Sequence, residues 1–169
     1  MKTSSLALAL ISSIGAGALR IGLAADATDA ATFSADPELV ERGRYVALIA
    51  GCNDCHTPGY AANNGNVPET LWLTGDTFGW RGPWGTTYGT NLRLLVDSLS
   101  EEQWIELART LRRRPPMPWF NLNSMHEDDL RGLFHFIRSL GDPGTPAPSA
   151  LPPHDEPTTP HAWWIEGPQ

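Results

Sequence analysis

Apolar positions recur at helical spacing in three stretches of the chain and lose any period between them. From Asp36 onward, Leu39, Gly43, Val46 and Ala50 fall on one face. Asp36 is placed to cap this helix, Pro37 suits its first position, and Glu38 and Glu41 suit its positive end. Gly43 weakens a helix from within, so its presence predicts the close approach of a second one. Another helix is predicted over about 100–112. Ser100 and Gln103 have capping-box spacing, Trp104, Leu107, Ala108 and Leu111 form the stripe, and Pro115 and Pro116 end it. A third is predicted over about 127–140, with Leu130, Leu133, Phe134, Ile137 and Leu140 on one face. Ser124 or His126 stands at its start and Gly141 just past its end. No internal repeat and no strand pattern stands out, so the expected class is all-α.

Residues 57–99 carry seven glycines and three tryptophans and no period. So long an irregular span is unusual inside a compact domain. It makes sense where something other than protein fills the middle, because three helices of this size bury little core by themselves.

The two ends differ from the middle. Residues 1–25 open with one lysine, continue through Leu6–Ile11 and reach small residues near Ala24, Ala25 and Ala27, which reads as an export signal. That run is too short and too rich in serine and glycine for a good membrane-spanning helix. Residues 26–35 read as a linker, 36–141 as the folded domain, and 142–169 as a proline-rich tail. The tail is either disordered or strapped along the domain, with Trp163 and Trp164 as anchors.

The formal charge is −7, and Lys2 is the sole lysine. Cleavage before Asp26 would remove two of the 12 basic residues and none of the 19 acidic ones. A chain that acidic is not expected to bind nucleic acid, and the mature part is expected to be exported to the periplasm without a stable membrane span.

Both cysteines of the protein lie in Cys52-Asn53-Asp54-Cys55-His56. This C-x-x-C-H spacing is the attachment pattern for c-type haem: two thioethers, and a histidine placed to reach the iron. Three other readings compete. A redox dithiol wants a βαβ context, structural zinc wants four ligands, and a plain disulfide leaves His56 and the irregular middle unexplained. A second axial ligand is expected to be methionine, which raises the potential. Met117, between Pro116 and Pro118, is favoured over Met125, which suits a core filler before the third helix. Histidines 126, 135, 154 and 161 are less suitable; His135 is expected to point away from its helix's apolar face.

The order of a helix, C-x-x-C-H, loops, a Met-Pro loop and a final amphipathic helix resembles class I cytochrome c. Gly43-Arg44-Tyr45, Gly82-Pro83-Trp84-Gly85 with Asn91-Leu92, and Met117-Pro118-Trp119 resemble cytochrome modules of bacterial periplasmic dehydrogenases. The resemblance covers about 36–141. It implies an all-α cytochrome c fold, with three main helices and long loops wrapped round one covalent haem c. It also implies crossed first and last helices, with Gly43 meeting Phe134 or Phe136. Cys52 and Cys55 would hold the haem, and His56 and Met117 would ligate iron. Partners would be a dehydrogenase donor and an oxidase or another cytochrome as acceptor. The chain departs from many such subunits in having one haem motif instead of three.

No nucleophile constellation, acid–base pair or phosphate loop stands out, so an electron carrier is expected rather than an enzyme. A gas-binding or catalytic haem protein with an open distal site, or a subunit anchoring a dehydrogenase, are the alternatives. Arg81, Trp72, Trp80, Trp84, Tyr88 and Asn91 are candidates to line the haem or bond its propionates. Arg112-Arg113-Arg114 reads either as a helix-end charge cluster or as a docking patch. The outer nitrogen of His56 is expected to bond a backbone carbonyl near Pro58.

Overall fold

Helix α1, Pro37–Ile49, starts where its cap predicts: the Asp36 carboxylate accepts from the Glu38 and Leu39 amides. The computed structural model describes residues 33–164; the proposed leader and most of the linker lie outside the described residues. Among these residues the order continues with α2 (Cys52–His56), β1 (Gly79–Gly82), β2 (Gly85–Tyr88), α3 (Leu92–Asp97), α4 (Glu101–Thr110), α5 (Trp119–Asn123), α6 (Glu127–Ser139) and β3 (His161–Trp163). The capping box of α4 is complete: the Gln103 amide donates to Ser100 Oγ, and the Ser100 amide donates to Gln103 Oε1.

α1 and α6 form the main packing unit. A methyl group on Gly43 would stand 1.9 Å from the Gly132 carbonyl oxygen and 2.7 Å from Phe136 Cβ. Gly43 therefore meets the backbone of a second glycine, with Phe136 rather than Phe134 beside it. Leu130, Leu133, Phe136 and Ile137 of α6 are buried, and Trp104 of α4 joins them by donating Nε1–H to the Leu130 carbonyl. Gly43→Ala should lower stability by about 1–3 kcal/mol, since neither backbone can yield without moving a helix. A denaturant melt measures this, and Leu48→Ala on the exposed face should change it by less than about 0.5 kcal/mol.

The all-α expectation is overturned. Residues 79–88 fold back on themselves as an antiparallel hairpin, pairing Trp80 with Thr87 and Arg81 with Thr86. Pro83 and Trp84 make the turn, and Gly85 takes φ +98°, a conformation L side chains rarely adopt. β3 then adds in parallel to the other side of β1, giving a three-stranded sheet in the order β2-β1-β3. The chain is thus a mixed helix-and-sheet fold. Each strand is too short to show alternation, and glycine occupies three of the eight positions in the first two.

The tail is strapped. Asn91 donates to the Pro143 and Thr145 carbonyls, Thr86 and Leu151 exchange backbone hydrogen bonds, and the Trp164 amide donates to the Arg81 carbonyl. His135, expected to point outward, is buried. Its Nδ1 accepts from the Asp36 amide and its Nε2 faces Glu101 at 3.3 Å, so it ties the starts of α1 and α4 to α6.

Candidate functional site

Gly51, at φ +68°, turns the chain out of α1 and directly into α2, which carries the C-x-x-C-H residues. Two buried side chains fix this short helix. Thr57 Oγ1 donates to Asn53 Oδ1 at 2.6 Å and accepts from the Leu73 amide at 2.7 Å. The Gly75 amide donates to the His56 carbonyl at 2.8 Å, and the Asp76 amide donates to the Gly89 carbonyl at 3.0 Å.

Gly89 is the tightest point. A methyl group there would lie 1.7 Å from the Cys55 carbonyl oxygen. This approach brings the next residue, Thr90, to His56, whose Nδ1 donates to the Thr90 carbonyl at 2.6 Å. The acceptor thus lies 34 residues away in sequence, not near Pro58. A carbonyl can only accept, so Nδ1 carries the proton and Nε2 keeps its lone pair. Burial pulls the His56 pKa below the ordinary histidine value, and the Thr90 bond opposes that pull. Gly89→Ala should cost about 1–3 kcal/mol in a denaturant melt. It should also speed solvent exchange of the His56 Nδ1 proton, followed by proton NMR.

Burial pushes the Cys52 thiol up to about 11, and Asp54 adds to the rise. Cys55 is raised too, by burial first and then by Asp54 and Asp76. A dithiol redox centre needs the opposite, a thiol held low enough to ionise. Among the described residues no three His, Cys, Asp or Glu side chains gather as a closed zinc site requires.

Cys52, Cys55 and His56 line one cavity of about 470 Å³, within the range of about 300–1,000 Å³ that holds cofactor-sized ligands. Its walls are mainly apolar: Leu73, Leu92, Leu95, Leu107, Leu111, Leu122, Leu133 and Ile137. Met117 and Met125 both reach it, and Ala147–Ala150 of the tail complete its lining. None of the other four histidines lines it. A flat apolar macrocycle needs such walls, and two thiols, one neutral imidazole and a thioether are a donor set that fits c-type haem.

Of the six proposed lining residues, Trp80 and Tyr88 border the cavity and Trp72, Arg81, Trp84 and Asn91 do not. Trp72 packs edge-on against Tyr60 and Phe136. The Trp84 ring fills the space over Gly82. Arg81 bonds the Asp155 carbonyl and the Glu156 carboxylate in the tail. Asn91 caps α3 and holds the tail. The arginine cluster is largely committed as well: Arg112 stacks on Trp119 at 4.2 Å, and Arg114 donates to the Trp84 and Leu151 carbonyls. Arg113 and Arg114 do border the cavity.

Sequence reasoning missed Arg93, which is buried and donates to five backbone carbonyls: Trp72, Leu140, Asp142, Glu69 and Thr70. A single charge inside the apolar run Leu92–Val96 was the available signal.

No family model, no curated protein and no solved structure matches the chain. Among the described residues no helix is long and apolar enough to cross a membrane.

Proposed function

We propose that the protein is a periplasmic electron carrier holding one covalent haem c. The observation that carries this reading is the convergence of Cys52, Cys55, a tautomer-fixed His56 and Met117 on one apolar cavity. Cys52 and Cys55 would hold the group as thioethers, and His56 Nε2 and the Met117 sulfur would ligate its iron. When bound, the haem supplies a one-electron couple whose potential a His/Met pair raises.

The chain's own residues do the rest. Thr90 fixes the His56 ring and raises its basicity through Nδ1. The leucines exclude water and lower the local dielectric. The Met117 loop is tied to β2 where Thr87 Oγ1 donates to the Pro115 carbonyl at 2.7 Å, and it turns tightly where the Trp119 amide donates to the Met117 carbonyl at 2.9 Å. Such a loop presents its thioether with little ordering left to do. Electrons would come from a dehydrogenase and pass to an oxidase or another cytochrome, as the sequence resemblance implies.

The test is the visible spectrum of the protein made in a host able to attach c-type haem. A low-spin spectrum that survives acid–acetone extraction is expected. An extractable pigment, or no pigment, contradicts the reading.

A further inference from the structure

A second cavity, of about 420 Å³, borders the same short helix through Asp54. Its wall carries two carboxylates, Asp54 and Asp76, and three aromatic rings, Tyr60, Phe78 and Trp80, with Pro160 from the tail. The rings are held in place. Phe78 and Trp80 meet edge-on at 5.5 Å, and Tyr60 stands edge-on to the buried Trp72 at 5.8 Å. The Asp76 carboxylate accepts from the Phe78 amide at 3.0 Å, which fixes it beside that ring. Among the described residues neither Asp54 nor Asp76 forms an ion pair, although arginines pair with carboxylates elsewhere in the fold.

We propose that this cavity binds a small organic ammonium cation, seated against the aromatic rings and balanced by Asp54 and Asp76. Aromatic faces attract alkylated cations through the ring quadrupole, and quaternary ammonium ligands, which have no N–H to donate to a carboxylate, depend on it most. An anion would be repelled by both carboxylates. A hard divalent metal ion wants six or more oxygen ligands, and rings supply none. A neutral ligand would strip water from two carboxylates and offer no charge in return. The volume suits a whole small molecule rather than one ammonium group. Trp80 also borders the proposed haem cavity, but Asp54, Asp76, Tyr60 and Phe78 do not, and none of the five is a proposed haem ligand, so this inference does not rest on the electron-carrier reading.

Calorimetric titration of the full chain, as purified, at low ionic strength tests it with choline as the probe. Its neutral carbon analogue, 3,3-dimethylbutan-1-ol, and magnesium chloride are the comparisons. Choline should bind at one site, at least about tenfold more tightly than the neutral analogue, and more weakly as salt rises. Asp54→Asn and Asp76→Asn, close in shape to the originals, should each weaken choline severalfold, and Phe78→Leu should do the same. The wild-type comparison of choline with its analogue needs no variant to fold. Equal affinity for choline and the analogue, heat from magnesium but not choline, or choline affinity unchanged in folded Asp54→Asn/Asp76→Asn protein would overturn the proposal.

Discussion

Arg93→Met should destabilise the domain by about 3–5 kcal/mol, the largest stability loss expected from any single substitution here. All five N–H groups of the guanidinium are used, at 2.8–3.2 Å, and every acceptor is a backbone carbonyl. Those carbonyls come from two places: the 69–72 turn and the segment where α6 gives way to the tail. The Leu140 carbonyl is at the negative end of α6, where a cation is also favoured by the helix dipole. Methionine fills similar space but withdraws a donor from all five carbonyls; Glu69 keeps the Trp72 amide, while the carbonyl of the buried Trp72 is left unpaired at the greatest cost. Arg93→Lys keeps the charge with three donors, so it should fall between wild type and methionine. A urea melt followed by tryptophan fluorescence gives the order, and a loss below about 1 kcal/mol for Arg93→Met would show that the five bonds are dispensable.

Met117→Ala should convert the proposed centre from low-spin to high-spin or water-ligated. The reduced protein should bind carbon monoxide and its potential should fall, because methionine ligation raises it. Met125→Leu should leave spectrum, carbon monoxide binding and potential unchanged, since it exchanges one apolar filler for another of similar volume. Both methionines line the cavity, so the pair of variants reads the ligand more sharply than either does alone. A low-spin spectrum in Met117→Ala together with an opened centre in Met125→Leu would reverse the ligand assignment.

What could be read along the chain was local or strongly periodic. The α4 capping box spans four residues and needs no tertiary partner. The α6 stripe repeats over three turns: Leu130, Leu133, Phe134 and Ile137 are buried as it predicts, Leu140 is half-buried, and Gly132, His135 and Phe136 are buried outside it. Gly43 announced a close approach, but its partner, Gly132, could have been found only by asking which other helix also tolerates a bare backbone. The motif told which residues converge; it could not tell what aligns them. The acceptor for His56 is Thr90, brought near by Gly89 across a span with no period.

The sheet was illegible for a different reason. β1 pairs with β3, which begins 82 positions after Gly79, inside a proline-rich segment that reads as disordered or as a strap but not as a strand. Parallel addition of a short, distant strand leaves no mark in either local sequence. The same event explains why Arg81 and Asn91, plausible haem contacts from their place in the chain, turn instead to the tail. The tail in return supplies Ala147–Ala150 to the cavity wall, a contribution its composition does not suggest.

Cys52 and Cys55 are proposed to hold a haem in the cavity they border. Intact mass under denaturing conditions tests it most directly, on protein exported from a host with the c-type attachment machinery. The mature chain should be heavier than its polypeptide by one haem, and Cys52→Ala/Cys55→Ala protein should carry none. A wild-type mass lower than the reduced polypeptide by one pair of hydrogens would mean a Cys52–Cys55 disulfide and would contradict the claim.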